Sequence, residues 1–457
     1  MIDDQRIRDI LAETGKDDSP PRVQAILSKA REMHGLETEE IATLMGVTNP
    51  HLLADLFDTA RQVKNDIYGR RLVLFAPLYI SNLCGNECRY CAFRADNRQL
   101  QRRALTQPEV ADEVRVLIGQ GHKRVLLVAG ETASDDTLDY VVESVATIYA
   151  TKQGKGEIRR VNVNIAPLTV DQFRRLKAAD IGTYQLFQET YHRPTYEYVH
   201  VSGPKADYDW RFTAPDRAME AGIDDLGVGV LFGLYDWRYE LLALMQHVRG
   251  LEQRWGVGPH TISVPRLEPA AGSEIAACPP HAVSDADFLK IVAILRLAVP
   301  YTGIIMSTRE TPEIRRETFA LGVSQISAGS RTSPGGYGED GEESGQFSLG
   351  DHRPLDEVIR DIAELGYIPS FCTGCYRLGR TGKDFMDLAK PGDIKAHCNP
   401  NAISTFAEYL EDYATPETKK VGAALIQQEL ASMDEPVRQR AQSMLDKVRD
   451  GAHDVFC

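Results

Sequence analysis

Eight short apolar runs, each followed by a stretch of helical periodicity, constrain the fold of this 457-residue chain more than any other feature. They are LVLFAPLYI (72–80), RVLLVAG (124–130), VNVNIA (161–166), GTYQLFQ (182–188), LGVGVLFG (226–233), HTISVPRL (260–267), GIIMSTR (303–309) and VSQISAG (323–329). β-Branched runs separated by helical segments are the pattern of repeated βα units and a parallel sheet. Several of the helical segments open with capping-box spellings, Thr106 with Glu109 and Thr169 with Gln172, in which side chains satisfy the free amides of the first turn. Eight such units predict an α/β chain closed into a (β/α)8 TIM-type barrel. Functional residues are then expected at the C-terminal ends of the strands, where the βα loops gather around one mouth.

The flanks differ from this pattern. Residues 1–68 read as an N-terminal helical segment, with periodicity in PRVQAILSKAREM and HLLADLFDTARQVKNDIY, packed outside a barrel that spans 69–350. Residues 351–457 form a separate C-terminal region: a helix at 354–365, a cysteine-bearing loop and a helical tail. The acidic, glycine-rich stretch SPGGYGEDGEESGQ before it reads as a mobile connector. A net charge of −14 argues against nucleic acid or an anionic membrane surface as the main partner. The charged N-terminus lacks the apolar core of a signal peptide and no later run reaches a membrane span, so a cytoplasmic protein is expected.

Six of the eight cysteines fall into two groups with ligand-like spacing. Cys84, Cys88 and Cys91 form CX3CX2C directly after the first strand, in SNLCGNECRYCAF. A 4Fe-4S cluster takes four thiolates, one per iron, so three from one tight loop leave one iron open. A zinc site or three unrelated buried thiols are the competing readings, although zinc prefers CX2C pairs with a distant second pair. Cys372, Cys375 and Cys398 make CX2CX22C, which suits a second cluster with an open iron or a Cys3His zinc knuckle completed by His397. Cys278 and Cys457 have no partner at ligand spacing, although Cys457 is placed to be reactive.

The first triplet, with aromatic Tyr90 before its last cysteine, resembles the CX3CXΦC pattern of radical S-adenosylmethionine (SAM) enzymes. The runs LFAPLYISN, GTYQLFQETYHRPTY, GVGPHTISVPR, STRE, SQISAGSRTSPGGY and CTGCYRLGRTG resemble the HydG family, radical SAM tyrosine lyases of [FeFe]-hydrogenase maturation, from about residue 20 to 413. That resemblance implies a SAM-binding 4Fe-4S cluster on Cys84, Cys88 and Cys91, and an auxiliary 4Fe-4S cluster on Cys372, Cys375 and Cys398. It also implies a labile iron that carries a cysteine molecule as ligand and is held by His260. Gly130 and Glu131 then correspond to the family's SAM amino-group element, with Glu189 and Arg266 also on the cofactor side. Gly227, Gly229 and Gly233 correspond to its glycine-rich adenine-side strand. Read without the family, those glycines merely permit close backbone approach, and His260 is a cap or surface residue.

The implied substrates are L-tyrosine and SAM, with a reductant such as a flavodoxin or ferredoxin and with other hydrogenase maturases downstream. Arg309 offers a bidentate fork for the tyrosine carboxylate, against the alternative of an ion pair with Glu310, and Ser327 and Arg331 are further candidates at the mouth. The implied products are p-cresol and dehydroglycine, the latter converted to iron-bound CO and cyanide. A tyrosine lyase that stops at dehydroglycine for thiazole synthesis is the nearest alternative, and a non-catalytic iron-sulfur scaffold is an alternative of another class. Where many members of the family carry CCQPNA, this chain has His397-Cys398-Asn399-Pro400, which leaves CX2CX22C intact and the role of His397 open.

Overall fold

The computed structural model describes residues 1–14, 19–132, 135–338, 345–389 and 394–457. All eight expected strands are present: β1 Arg71–Ser81, β2 Arg124–Ala129, β3 Arg160–Asn164, β4 Tyr184–Glu189, β5 Leu226–Val230, β6 Thr261–Ser263, β7 Gly303–Met306 and β8 Val323–Ser327. They pair in parallel in chain order, and β1 pairs with β8 through Val73–Gln325, Leu74–Ile326 and Phe75–Ser327 to close the ring. The chain is therefore a (β/α)8 barrel.

A ninth strand, β9 Ile368–Ser370, was not expected from the sequence. It pairs in parallel with Arg71–Val73, below the residues where β1 meets β2. At eleven residues β1 is long enough to serve both neighbours and β9 in succession. Three apolar or small residues preceding a cysteine loop carry no periodicity, which is why the sequence did not announce β9.

Strand side chains alternate between faces, so one strand reads out both sides of the barrel wall. Leu72, Leu74, Ala76, Leu78 and Ile80 of β1 are buried in the apolar layers under the helices. The odd-numbered residues point inward: Arg71 and Val73 line a cavity at the N-terminal end, and Phe75, Pro77 and Tyr79 line a chamber at the C-terminal end. The expected capping boxes are formed: Thr106 N–H donates to Glu109 at 2.7 Å, and Gln172 N–H donates to Thr169 Oγ1 at 3.3 Å.

Four helices, not two, precede the barrel: Asp4–Thr14, Pro20–Ala30, Thr38–Gly46 and Pro50–Tyr68. The first buries only Ile7 and Ile10 fully in an otherwise charged sequence, too sparse a stripe to stand out. The last starts on Asn49, whose side chain accepts from the His51 and Leu52 amides, with Pro50 at the first helical position. It packs against the barrel helices Asp285–Ala298 and Pro312–Leu321.

Beyond β8 come the expected helix, Leu355–Glu364, then β9, and the helices Gly374–Arg377, Gly382–Ala389, Ile394–Asp412, Pro416–Ser432 and Glu435–Arg449. The helix Ile394–Asp412 packs against β9, and its buried Glu408 accepts both terminal nitrogens of Arg159, at 3.0 and 2.5 Å, just before β3. This ion pair ties the C-terminal helices to the N-terminal end of the barrel. Residues 339–344 of the expected mobile connector lie outside the described residues, and its described flanks are held. Tyr337 Oη donates to Pro77 O at 2.7 Å, and Gln346 N–H donates to Thr332 O at 3.0 Å. Among the described residues no helix is long and apolar enough to cross a membrane.

Candidate functional site

The upper chamber, at the C-terminal ends of the strands, is a cavity of about 180 Å³. Cys84, Cys88 and Cys91 all line it. Their loop is fixed from several sides. Gly85 N–H donates to Glu131 O at 2.9 Å, Arg89 N–H donates to Val199 O at 2.9 Å, and Glu87–Cys88 pairs with His200–Ser202. Buried Tyr90 stands 2.8 Å from His200 Nε2, whose Nδ1 faces the Tyr196 carbonyl at 2.9 Å. Burial, then the Lys205 and Arg211 charges, push His200 well below the usual histidine range, so it is neutral, donates to Tyr196 from Nδ1 and accepts the phenol at Nε2. Tyr90, which also lines the chamber, thus ties the cysteine loop to the His200 segment.

Burial pushes all three thiols upward, Cys91 to about 11. A buried thiol becomes a thiolate when bound positive charge compensates its desolvation, as iron or another metal does. The donor set therefore fits a cluster. Gly130 lines the chamber, and a Cβ there would lie 2.2 Å from Leu83 O, so its first duty is to let the cysteine loop pass.

Next to the cysteines is a buried ionic quartet of which the sequence disclosed half. Lys205 Nζ lies 2.7 Å from Glu189 and 3.8 Å from Glu131, and Arg211 lies 3.0 Å from Glu131 and 3.7 Å from Glu189. Burial would raise the Glu131 carboxyl, but Arg211 and Lys205 hold it below the usual range. Asn86 donates to Glu131 at 3.2 Å, and Glu189 sits at φ +72°, a strained value for a non-glycine residue that turns the chain at the end of β4. Lys205 and Arg211 lie in the long connection between β4 and β5, on the helical turns Pro204–Ala206 and Tyr208–Phe212, which are too brief to show periodicity, so no sequence signal marked them.

Arg309 lines the chamber with its guanidinium carbon 3.2 Å from the Phe347 ring centroid. It has no ion pair among the described residues. The alternative pairing with Glu310 does not form, because Glu310 faces away and holds Arg266 at 3.0 Å. Arg266 itself is also bound to Asp285 at 2.8 Å and does not line the chamber. Its neighbours Pro265 and Leu267 face inward, so alternation along the chain turns Arg266 to the helix side.

Gly227, Gly229 and Gly233 also stay off the chamber surface. Cβ atoms at the first two would lie 2.7 Å from the side chains of Gln185 and Phe187, which do line it, so these glycines make room for β4. Gly233, at φ +119°, packs against Leu267. Ser327 lines the chamber and accepts from Thr308 N–H at 3.1 Å. Arg331 instead lines an adjoining pocket with Ala271, Ser333 and His352, beyond Phe347.

The second cysteine group lies at the opposite end of the barrel, contrary to the expectation that function gathers at the C-terminal mouth alone. Cys372, Cys375 and Cys398 line a cavity of about 50 Å³ with Arg71, Arg124, Asp225, His260, Tyr376 and Arg380. Arg71, Arg124, Asp225 and His260 come from the N-terminal ends of strands or the turns before them, and barrel closure brings them together with the segment that follows β9. Tyr376 stoppers the barrel: its hydroxyl meets Thr183 at 3.1 Å and Arg124 at 3.3 Å, and Arg160 stacks 4.1 Å from its ring. The neighbouring Cys375 thiol, with the Arg71 charge, draws Cys398 towards the thiolate against the effect of burial.

His260 Nδ1 is buried and has no hydrogen-bond partner, as a ligand nitrogen facing an added iron would be. His397 does not line the cavity. Among the described residues no three His, Cys, Asp or Glu side chains are drawn together as around a single metal ion. Thiolates of a cubane cluster stand farther apart, because each binds a different iron. Cys278 is exposed, and Cys457 is less free than expected, its N–H donating to Asn401 at 2.8 Å.

Known proteins match this architecture. The Radical SAM superfamily model matches residues 78–247, and the Biotin and Thiamin Synthesis associated domain matches 263–368. The 2-iminoacetate synthase of Salmonella typhimurium is 30% identical over 363 residues, 79% of this chain and 94% of the relative. A crystal structure of HydG, a maturase of the [FeFe]-hydrogenase, superposes with TM-score 0.96 at 50% identity, covering 100% of this chain and 99% of that one. HydG from Carboxydothermus hydrogenoformans gives 0.85 at 43%, covering 97% of each chain. With a SAM-type cysteine loop at one end of a closed barrel and likeness to HydG along its whole length, the chain belongs to the HydG family of radical SAM enzymes.

Proposed function

We propose that the chain is a tyrosine lyase with two sites. The upper chamber cleaves L-tyrosine to p-cresol and dehydroglycine, and the lower cavity converts dehydroglycine to CO and cyanide on iron for [FeFe]-hydrogenase assembly. The observation that carries this reading is the placement of two cysteine triplets on cavities at opposite ends of one barrel.

Cys84, Cys88 and Cys91 hold the first 4Fe-4S cluster and leave one iron for the methionyl group of SAM. When bound and reduced by an external donor such as a flavodoxin or ferredoxin, that cluster supplies the electron that cleaves SAM to a 5'-deoxyadenosyl radical. Glu131, kept ionised by Arg211 and Lys205, receives the SAM amino group, and Glu189 completes that wall. Arg309 binds the tyrosine carboxylate as a two-point fork, and Tyr79, Phe93 and Phe187 enclose the ring. Ser327 stays close enough to add a polar contact. Tyrosine would give up a hydrogen atom from its amino group to that radical, forming 5'-deoxyadenosine, and its Cα–Cβ bond would break to leave dehydroglycine and a 4-hydroxybenzyl radical, which takes one electron from the reductant and one proton to become p-cresol.

Cys372, Cys375 and Cys398 hold the auxiliary cluster, and His260 holds a labile iron, with a cysteine molecule as its further ligand, that leaves as product for other maturases. The thiazole-pathway alternative has no use for the lower cavity, and a scaffold has no use for the upper chamber. The test is anaerobic turnover with SAM, tyrosine and reductant. The proposal expects 5'-deoxyadenosine, p-cresol and iron-bound CO together, with about eight to nine irons per chain. About four irons with one zinc, or p-cresol without any diatomic product, would overturn the two-site reading.

A further inference from the structure

The lower cavity holds buried polar groups that the cysteine triplet does not explain. Arg71 Nε, Arg124 Nε, His260 Nδ1 and both carboxylate oxygens of Asp225 are buried without a hydrogen-bond partner, and all four residues line this one cavity. Asp225 is only 2% exposed. Its neighbour Asp224 accepts from Thr381 Oγ1 at 3.2 Å, and its own backbone carbonyl accepts from Tyr184 N–H at 3.1 Å. The local chain is thus satisfied, and the Asp225 carboxylate is the group left over. An ionised carboxylate kept from water without a donor is costly, and natural chains keep one where a ligand supplies the missing partner.

His260 is accounted for by iron. A carboxylate facing the same small space as guanidinium groups is the complement of a zwitterion: guanidinium for a carboxylate, aspartate for an ammonium or amine. We propose that Asp225 receives the amino group of the amino-acid ligand bound in the lower cavity, with the ligand's carboxylate towards Arg124. This rests on the reading above, in which free cysteine is that ligand. It adds the residue that tells an amino acid from a simple mercaptocarboxylate.

The test is anaerobic equilibrium binding of radiolabelled L-cysteine to the iron-loaded enzyme, with displacement by unlabelled L-cysteine or 3-mercaptopropionate, which lacks the amino group. Wild type is expected to prefer L-cysteine by at least about tenfold, the scale of one charge-assisted hydrogen bond. Asp225→Asn should erase most of that preference, and Asp225→Glu should keep part of it, with iron content and circular dichroism unchanged. An Asp225→Asn enzyme that keeps the wild-type preference, or that loses iron along with ligand, overturns the proposal while leaving the two-site reading intact. Cysteine binding absent from wild type, or undiminished in the Cys372→Ser/Cys375→Ser double variant, overturns both.

Discussion

The two mouths of this barrel are built by different means. At the C-terminal mouth one loop of eight residues carries all three thiols, and the ionic quartet and Arg309 stand around it on the ends of strands and the loops after them. At the N-terminal mouth the thiols come from the loop after β9 and a helix some twenty residues later, and the polar lining comes from the starts of strands. The upper mouth follows the usual rule of such barrels, in which the lower face serves stability. The lower mouth departs from it because the C-terminal region folds beneath the barrel and turns that face into a second cavity. A barrel with a cavity at each end thus offers two lined spaces that share a scaffold and need not share residues.

Breaking the upper mouth should have the largest effect. Serine at Cys84, Cys88 or Cys91 is expected to remove both 5'-deoxyadenosine and p-cresol, measured by chromatography after anaerobic turnover; p-cresol at wild-type yield from any of the three would sink the assignment. In the lower mouth, His260→Ala should weaken the hold on the labile iron by at least about 10- to 100-fold, since even outer partners of metal ligands matter that much. Iron-bound CO, followed by infrared absorption, should then fall far more than p-cresol. Equal loss of both products would mean that His260 serves the whole fold.

A smaller effect is expected within the upper chamber. Arg309→Gln removes the charged fork and should raise the KM for tyrosine about 10- to 100-fold, the worth of charge-assisted hydrogen bonds. SAM cleavage without tyrosine should change little, and a KM near wild type would show that the carboxylate binds elsewhere. The smallest effect on the reaction is expected from Arg266→Gln, because this side chain holds Glu310 and Asp285 outside the chamber. The KM for SAM should stay within about twofold. Thermal stability should drop, because Glu310 is left buried without its partner. A large rise in KM for SAM at unchanged stability would put Arg266 back beside the cofactor.

The same contrast explains what the sequence disclosed. The eight strands were legible because buried parallel strands are continuous apolar runs, and the first triplet because its spacing is compact. Cys372, Cys375 and Cys398 were legible as a group with ligand-like spacing, but their location beneath the barrel was not. Lys205 and Arg211 were invisible because their partners, Glu131 and Glu189, lie 16 to 80 residues away and meet them only in the folded barrel. One signal was available and unused: Arg71 and Arg124 each open an apolar strand with a charge, and a charge at the first inward position of a barrel strand marks a polar floor. That Arg266 turns away from the chamber was not legible, since a motif gives a residue's position along the chain but not which face it takes.

The independence of the two mouths is tested most directly by the Cys372→Ser/Cys375→Ser double variant, assayed in parallel for p-cresol and iron-bound CO, with iron counted and folding followed by circular dichroism. Tyrosine cleavage needs only the upper mouth, so p-cresol should persist near wild-type yield while iron-bound CO disappears and iron falls to about four per chain. Iron-bound CO at wild-type yield would contradict the two-site account. So would the loss of p-cresol from a chain that keeps its fold and its upper cluster.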